Sequence, residues 1–479
     1  MRTIAGGRLT NSRKLPPGPA PFPVIGNLHQ LGDKPHQSLA ELAKTYGPIL
    51  SLKQGQLTTV VISSPTLAKE ILQKQDLAFS NRSVRDALRA CDHHKNAIPW
   101  LPVSAQWRTL RKICNSHVFS AQKLDGNRHL RRHKVDELLS EVRRSCDAGV
   151  PVEIFHVTFK TSLNLLSSTF FSMDWASTES DITGELKETV TQIFEDIGKF
   201  NLVDYFPVLA GFDPQGIRRR MAVNFRKMYE MFEVTINQRL EAKRLNRYIP
   251  SNDVLDTLLS ISEDDEGFDR AHVKILLLDL FTAGTDTTSS TLEWTMTELF
   301  RNPKILLKAQ EELQQVIGRG NPIEESDIIR LPYLNAIIKE NFRLHPPAPL
   351  LLPRRVEADA EVSGFTVPRG AQVLVNVWAI GRDPCTWERP NEFMPERFLG
   401  SEVDVRGRDF ELLPFGGGRR ICPGLPLAQR MVHLMLASLL NSFDWRLENG
   451  VLPENLGVEE VFGLTLRKAN PLKLIPISL

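Results

Sequence analysis

The stretch PFGGGRRICPG, residues 414–424, decides the fold of this 479-residue chain. It places a single cysteine, Cys422, behind three glycines and two arginines. A proline follows, and then the apolar, helix-like run GLPLAQRMVHLMLASLL at 424–440. A sulfur at the amino end of a helix lies beside free N–H groups and the positive end of the helix dipole, which stabilise a thiolate. The stretch therefore predicts an activated sulfur on a tight loop.

The residues around the cysteine indicate what this sulfur could bind. Gly416, Gly418 and Gly424 permit tight turns and a close approach of the backbone to a flat group. Arg419 and Arg420 add positive charge, and one of them could pair with a carboxylate. A lone thiolate beside room for a flat, carboxylate-bearing partner indicates haem ligation.

Three alternatives compete with haem ligation. A glycine-rich turn carrying an inert cysteine is the simplest of them and stays open on these residues alone. A dinucleotide-binding loop fails because Ile421 stands where a glycine is required and no clear strand precedes it. A zinc site fails because no second Cys or His lies at ligand spacing.

Composition narrows the class of protein. Apolar residues make up 42% and charged residues 24%, as in ordinary globular chains, and the net charge of +2 gives no global signal for nucleic acid. The five cysteines are odd in number and far apart, which favours a reducing compartment over a disulfide framework. No apolar run approaches the roughly 20 residues that a membrane helix needs.

The pattern along the chain predicts a mainly α protein with a small β part, forming one domain. Two regions rich in β-branched residues, 47–63 and 362–380, account for the β part. One helix stands out: it starts after Asp269, a good N-cap, and ends at Asn302 before a proline. At 1.5 Å per residue it is roughly 50 Å long, and its apolar first half predicts a central, buried position.

The middle of this helix carries the unusual run AGTDTTSS at 283–290. Its hydroxyls can bond back to the helix carbonyls and bend the helix. Asp279, Ala283, Asp286 and Thr287 are spaced i, i+4, i+7, i+8 and are therefore expected to share one face. Two interpretations remain open here: a packing kink, or a groove that holds a small ligand or water.

Taken together, these residues resemble the cytochrome P450 monooxygenases over nearly the whole chain, from LPPGP to FGLTLRKANPL. The resemblance implies the P450 fold, a single haem-thiolate domain with a long central helix, and haem b (iron protoporphyrin IX) as cofactor. It implies that Cys422 is the iron ligand. The loop matches the family pattern F-G-x-G-x-R-x-C-x-G at all its fixed positions: Phe415, Gly416, Gly418, Arg420, Cys422 and Gly424.

Five further motifs follow the family's order. AGTDTT resembles the oxygen-activating groove, which implies catalytic roles for Gly284, Asp286 and Thr287 and a place for Ala283 against the haem. KENFR and PERF resemble the family's buried ionic triad. WRTLR and LPRR resemble its haem-propionate contacts, with Arg354 preferred over Arg355 by its spacing before Asp359. The implied triad is Glu340, Arg343 and Arg397, and the implied propionate contacts are Trp107, Arg111, Arg354 and Arg420.

The segment NLVDYFPVLAGFDPQGIRRRM at 201–221 resembles plant terpenoid hydroxylases of the geraniol-hydroxylase and ferruginol-synthase group. The likeness to ferruginol synthases is the stronger, which implies oxidation of a miltiradiene-type abietane diterpene. A geraniol-type monoterpenol hydroxylase is the alternative, and a haem-thiolate isomerase or lyase or a non-catalytic haem protein are lesser ones. The expected substrate pocket comprises Asp279, Ala283, Leu350, Leu351, Phe462, Gly463 and Leu464.

The chain carries no NADPH or flavin motif, so the resemblance implies a separate NADPH–cytochrome P450 reductase, with O2 as co-substrate and no nucleic acid partner. Residues 1–24 are expected to be a tether whose membrane anchor has been removed, and 25–479 the haem-thiolate domain. The native protein is expected to face the cytosol from the endoplasmic reticulum membrane, and the shortened chain to be soluble. Expected docking cations for the reductase are Arg108, Lys112, Arg132 and Arg419.

Overall fold

The computed structural model describes residues 14–176, 182–247, 250–251, 253–264, 267–448 and 450–479. The part of the expected tether at 1–13 lies outside these ranges. The predicted fold class, mainly α with a small β part, is confirmed. Fifteen α-helices lie within the described residues: α1 Pro35–Tyr46, α2 Pro65–Lys69, α3 Ala105–Ile113, α4 Ala121–Gly126, α5 Arg128–Ala148, α6 Ile154–Phe171, α7 Ile182–Gly198, α8 Leu202–Tyr205, α9 Ile217–Arg244, α10 Val254–Asp264, α11 Arg270–Arg301, α12 Pro303–Val316, α13 Pro332–Leu344, α14 Val377–Ile380 and α15 Leu425–Ser442.

The long helix α11 has the predicted ends and is almost entirely buried. The Asp269 carboxylate accepts hydrogen bonds from the first free backbone N–H groups, and His272 completes a capping box. The hydroxyls of its middle bond back to carbonyls four residues earlier, for example Thr282 to Leu278 O at 2.7 Å. Helix α11 continues through this region without interruption, and the hydroxyls of Thr285, Thr287, Thr288 and Ser289 find their acceptors inside the helix.

Gly284 allows a neighbouring helix to approach α11 closely. A side chain there would meet the Leu166 Cδ1 atom of α6 at 2.8 Å. Helices α13 and α15 pack against α11 as well, so the central helix is enclosed by apolar side chains. This packing fixes which face of α11 is left to line a cavity.

Within the described ranges the strands form four small sheets. The largest has the order β1-β2-β8-β5-β3, in which β2 and β8 are parallel and the other pairs antiparallel. A second has the order β4-β12-β9, and β6–β7 and β10–β11 are two-stranded. The bounds are β1 Ile49–Gln54, β2 Leu57–Ile62, β3 Asn81–Arg82, β4 Val152–Glu153, β5 Arg354–Arg355, β6 Ala360–Val362, β7 Phe365–Val367, β8 Gln372–Val375, β9 Asp444–Leu447, β10 Glu460–Val461, β11 Arg467–Lys468 and β12 Lys473–Ile477.

Two segments differ in part from what the sequence predicted. The region 362–380 holds strands only as far as Val375, because Asn376 caps the short helix α14 by accepting from Ala379 N at 3.0 Å. The stretch LPPGP at 15–19, part of the expected tether, packs on β1, where Ser51 donates to Pro17 O and Pro16 O at 2.8 and 2.7 Å. No helix in the described parts of the chain has the length and apolar character needed to cross a membrane.

Candidate functional site

Most of the expected site residues line one cavity between α11 and the cysteine loop. The cavity reaches from the Cys422 thiol on one side to the middle of α11 on the other. Gly418, Asp286, Leu350, Phe462, Gly463 and the three triad residues do not line it. The expected residues that do are Trp107, Arg111, Asp279, Ala283, Gly284, Thr287, Leu351, Arg354, Phe415, Gly416, Arg420, Cys422, Gly424 and Leu464.

The Cys422 sulfur lies at the amino end of α15. Burial raises the pKa of the Cys422 thiol, whereas the backbone N–H groups of Gly424 and Leu425 and the charge of Arg111 lower it. The Cys422 N–H donates to Phe415 O at 3.0 Å and closes the loop on itself. These donors reduce the cost of placing a negative charge on the sulfur, and the role of Cys422 as a thiolate ligand stays a prediction.

Contacts from distant segments fix the loop. Arg111 of α3 donates to Ile421 O at 2.6 Å. Gly418 has a left-handed backbone (φ +65°), and a Cβ there would fall on the carbonyl oxygen of Leu72. The loop can therefore pass this point only with glycine at position 418.

The expected ionic triad forms a network just behind the loop. Glu340 and Arg343 of α13 are fully buried and share two hydrogen bonds of 2.7 and 2.8 Å. Arg397 adds a third at 3.1 Å to Glu340. Phe342, also on α13, contacts the ring of Phe415 edge-on, with the two ring centres 5.3 Å apart. The helix that carries Glu340 and Arg343 therefore also supports the cysteine loop.

Four arginines line one side of the cavity: Arg82, Arg111, Arg354 and Arg420. Burial, and then repulsion from Arg354 and Arg420, lowers the pKa of Arg82. Burial likewise lowers the pKa of Arg354 and of Arg420 to about 10. The Arg354 Nε has no hydrogen-bond partner among the described residues. A flat group with two carboxylates fits this side of the cavity, because it would supply the missing acceptors and relieve the repulsion.

The arginine side chains are already oriented by backbone carbonyls. Arg420 donates to Ser80 O at 2.8 Å and lies 4.6 Å from the ring centre of Trp107. Arg354 donates to Phe79 O at 3.0 Å. Their guanidinium groups are therefore held in place before any anion binds.

Sequence reasoning missed Arg82. Strands β3 and β5 pair in register so that Arg82 stands opposite Arg354. Arg82 donates to Pro99 O and Leu352 O at 3.1 and 2.8 Å. No local pattern in SNRSV marks this arginine, because its place in the cluster comes from pairing with a strand about 270 residues away.

On the opposite side, α11 presents Ala283, Gly284 and Thr287 to the cavity. The Thr287 hydroxyl donates to Ala283 O at 2.7 Å. The expectation that Asp286 shares this face is wrong: its buried carboxylate points away from the cavity and pairs with Arg467 of β11. A buried carboxylate is costly when it is charged and unpaired, and Arg467 supplies a cation that offsets this cost.

Asp279 lines the cavity and has two partners that sequence reasoning did not find. His93 Nε2 lies 3.1 Å from its Oδ1, and Ile98 N donates to its Oδ2 at 2.9 Å. The other ring nitrogen of His93, Nδ1, lies 2.8 Å from the Tyr229 hydroxyl of α9. Burial raises the pKa of Asp279, and His93 and the Ile98 N–H act in the opposite direction.

The remaining expected pocket residues divide between two cavities. Leu351 and Leu464 line both of them. Leu350, Phe462 and Gly463 line a second, neighbouring cavity beside β10 and α1. The expectation of a single pocket is therefore wrong for these three residues.

Comparison with known proteins places the chain among close relatives. The sequence profile described as "Cytochrome P450" matches residues 16–474. A geraniol 8-hydroxylase from Catharanthus roseus is 56% identical over 469 residues, which cover 98% of this chain and 95% of that protein. A geraniol 8-hydroxylase from Swertia mussotii is 55% identical, covering 98% and 94%. A drimenol monooxygenase from Persicaria hydropiper is 50% identical over 471 residues, covering 98% and 93%.

The glycines of the cysteine loop allow a matched test. Gly418→Ala should lose most of its bound haem and unfold at a lower temperature, because the left-handed backbone and the contact with Leu72 together cost about 3 kcal/mol or more. Gly417→Ala is the control: its φ is −157° and its Cβ would meet nothing closer than 3.4 Å. The measurement compares haem content and thermal midpoint between the two variants. Equal losses in Gly417→Ala and Gly418→Ala would contradict the requirement for glycine at position 418.

The Asp286–Arg467 pair predicts a non-additive pair of substitutions. Arg467→Leu should destabilise the fold by about 2 kcal/mol, because it strands a buried carboxylate. Adding Asp286→Asn should recover most of that loss, whereas Arg446→Leu, an exposed arginine on β9, should have little effect. The free energy of unfolding of the single and double variants measures the coupling, and simple additivity would show that the pair contributes nothing.

Proposed function

The chain belongs to the cytochrome P450 family, and we propose that it hydroxylates a terpenoid with electrons that NADPH delivers through a separate reductase. It is a monooxygenase whose cofactor is haem, iron protoporphyrin IX, as throughout the family. One observation supports the proposed site best: the Cys422 thiol faces a cavity that has four arginines along one side and the Thr287 face of α11 along another. Cys422 would hold the iron, and Arg82, Arg111, Arg354 and Arg420 the propionates.

Thr287 and Asp286 have different proposed roles beside the haem. When bound, haem supplies the reductive activation of dioxygen. Thr287 holds a hydroxyl at the cavity face and is the proposed proton donor, with its oxygen anchored to Ala283 O. Asp286 lies one residue earlier but is paired with Arg467, so it can pass a proton towards the cavity only when that ion pair rearranges.

Terpenoids are supported as substrates by the apolar lining of the cavity and by the relatives. Leucine and phenylalanine side chains from α6, α7 and α11 line the space beyond Thr287. The two geraniol 8-hydroxylases and the drimenol monooxygenase are named for terpenoid alcohols and match nearly the whole chain. A geraniol-type alcohol is therefore the first candidate, and the miltiradiene-type diterpene the second, on the likeness of segment 201–221 alone.

The reductase is proposed to dock on the surface outside the cysteine loop. Arg108 and Lys112 of α3 are exposed there, and Arg419 is exposed although it pairs with Asp76 at 2.9 Å. Arg132 is a weaker candidate, because Asp136 already neutralises it at 2.9 Å. An acidic partner surface would meet the first three cations.

The endoplasmic reticulum membrane is proposed as the native location, and one surface supports it. Phe22, Val24, Val208 and Phe212 are exposed at 58%, 80%, 74% and 78%. Their segments converge on the turn between β1 and β2, where Gly55 N donates to Ile25 O at 3.2 Å and Gln56 N to Tyr205 O at 2.9 Å. Such a convergence of exposed apolar side chains suits contact with lipid.

A reconstituted assay tests the function. The haem-loaded protein, reductase and NADPH should convert geraniol, drimenol or miltiradiene to a product heavier by one oxygen, read by mass spectrometry. Cys422→Ser should abolish both product and the thiolate-type band of the reduced carbon monoxide complex, because a serine hydroxyl does not replace the thiolate. A thiolate-type band that persists in this variant would overturn Cys422 as the ligand, and a fully active wild type without reductase would overturn the proposed electron route.

The role of Thr287 has a separate test. Thr287→Ala should keep haem and substrate binding but release most reducing equivalents as hydrogen peroxide, with product per NADPH falling roughly 10-fold or more. Thr285→Ala is the matched control, because its hydroxyl bonds within α11 to Phe281 O and does not reach the cavity. Product, peroxide and NADPH consumption are measured together; unchanged coupling in Thr287→Ala would refute the role.

A further inference from the structure

A chain of hydrogen bonds ends at the wall of the cavity that Cys422 also lines. It runs from the Tyr229 hydroxyl of α9 through His93 to Asp279 of α11, with distances of 2.8 and 3.1 Å. The ring of Phe225 lies 4.4 Å from that of His93 and holds the imidazole in place. Three separate segments therefore meet at one polar point in a cavity that is otherwise largely apolar.

With Asp279 ionised, the hydrogen bonds among Tyr229, His93 and Asp279 leave only acceptor capacity facing the cavity. Asp279 accepts from the Ile98 N–H at 2.9 Å, and its other oxygen faces His93 Nε2. With a neutral imidazole, Nε2–H donates to the carboxylate and the Tyr229 O–H donates to Nδ1. Each carboxylate oxygen keeps a free lone pair, and of these three side chains His93 and Asp279 line the cavity. The group that complements this point is a hydrogen-bond donor.

We propose that Asp279, oriented by His93 and Tyr229, accepts a hydrogen bond from the hydroxyl of a terpenoid alcohol and so selects alcohols over hydrocarbons. Asp279 is then a specificity residue, and His93 and Tyr229 are positioning residues. The inference rests on the proposed function and narrows its substrate class. With the hydroxyl held at this point, oxidation takes place on a part of the carbon skeleton remote from that hydroxyl.

The expected selectivity is moderate. A hydrogen bond to a carboxylate in a low-dielectric cavity strengthens binding by roughly 10- to 100-fold. When a hydrocarbon binds, Asp279 keeps its hydrogen bonds with His93 and Ile98 N, so no buried polar group loses its partner. The hydrocarbon is therefore bound more weakly than the alcohol but is still accepted. The preference should therefore show as a ratio of affinities.

Asp279→Asn separates recognition from structure. Its amide oxygen can still accept from Ile98 N, and its NH2 can donate to His93 Nε2 if the imidazole proton moves to Nδ1 and donates to Tyr229. The variant should keep the fold of residues 86–100 while it loses the charged acceptor. Glu293→Gln is the matched control: it makes the same acid-to-amide change on α11, at a buried carboxylate that accepts from Leu472 N and does not line the cavity.

The experiment measures dissociation constants of the haem-loaded protein from the shift of its haem absorption band. Two pairs of ligands are titrated: geraniol and geranylgeraniol, each against the hydrocarbon that lacks only the hydroxyl. Wild type and Glu293→Gln should bind each alcohol roughly 10- to 100-fold more tightly than its hydrocarbon. In Asp279→Asn the ratio should fall towards 1 because the alcohol binds more weakly, and Tyr229→Phe should reduce the ratio less.

Three results would overturn the inference. Equal affinity for alcohol and hydrocarbon in the wild type would remove the selectivity while leaving the proposed terpenoid hydroxylase intact. An equal loss for both ligands in Asp279→Asn, with a lowered thermal midpoint, would assign the chain of hydrogen bonds a structural role only. Absence of any shift with all four ligands would overturn the proposed function, and this inference with it.

Discussion

The proposed site depends on the position of one sulfur, that of Cys422, at the amino end of α15 and in the wall of the cavity. Burial disfavours a thiolate there, and the backbone N–H groups at the start of α15 and the charge of Arg111 reduce that cost without cancelling it. These groups influence the sulfur only over a few ångströms, so the loop has to hold Cys422 in a fixed position beside them. The contact of Gly418 with Leu72 and the hydrogen bond from Arg111 to Ile421 O supply that rigidity from segments about 350 and 310 residues away.

The arginine side of the cavity imposes a second requirement on the same site. Arg82, Arg354 and Arg420 are buried close enough to repel one another, and Asp76 is the carboxylate that offsets part of the charge on Arg354 and Arg420. Such a cluster is unfavourable until an anion joins it. An anion that binds the folded chain and not the unfolded one would couple binding to folding at this site. Cofactor retention and thermal stability should therefore change together in variants of the loop.

The sequence predicted those parts of the molecule whose causes are local. Helix α11 has its predicted ends, because an acidic N-cap and a following proline act on adjacent residues. The cysteine loop was recognisable for the same reason. Arg82 and His93 were missed because long-range pairing places them: β3 against β5 for Arg82, and the 86–95 segment against α9 and α11 for His93. Asp286 was assigned the wrong face because helical spacing does not reveal a partner such as Arg467.

The hairpin formed by β10 and β11 connects the wall of the cavity with the side of α11 that carries Asp286. Its strand β11 carries Arg467, which holds Asp286, and the preceding Leu466 O accepts from Ser290 and Trp294 of α11 at 2.7 and 3.3 Å. The same short hairpin places Leu464 in the cavity wall. A ligand that displaces Leu464 must therefore also shift a segment that is held to α11 by the contacts with Asp286, Ser290 and Trp294. Substrate size and the proposed exchange of a proton by Asp286 are thus linked through one element, and a substrate too large for the wall should disturb the Asp286–Arg467 pair as well as its own binding.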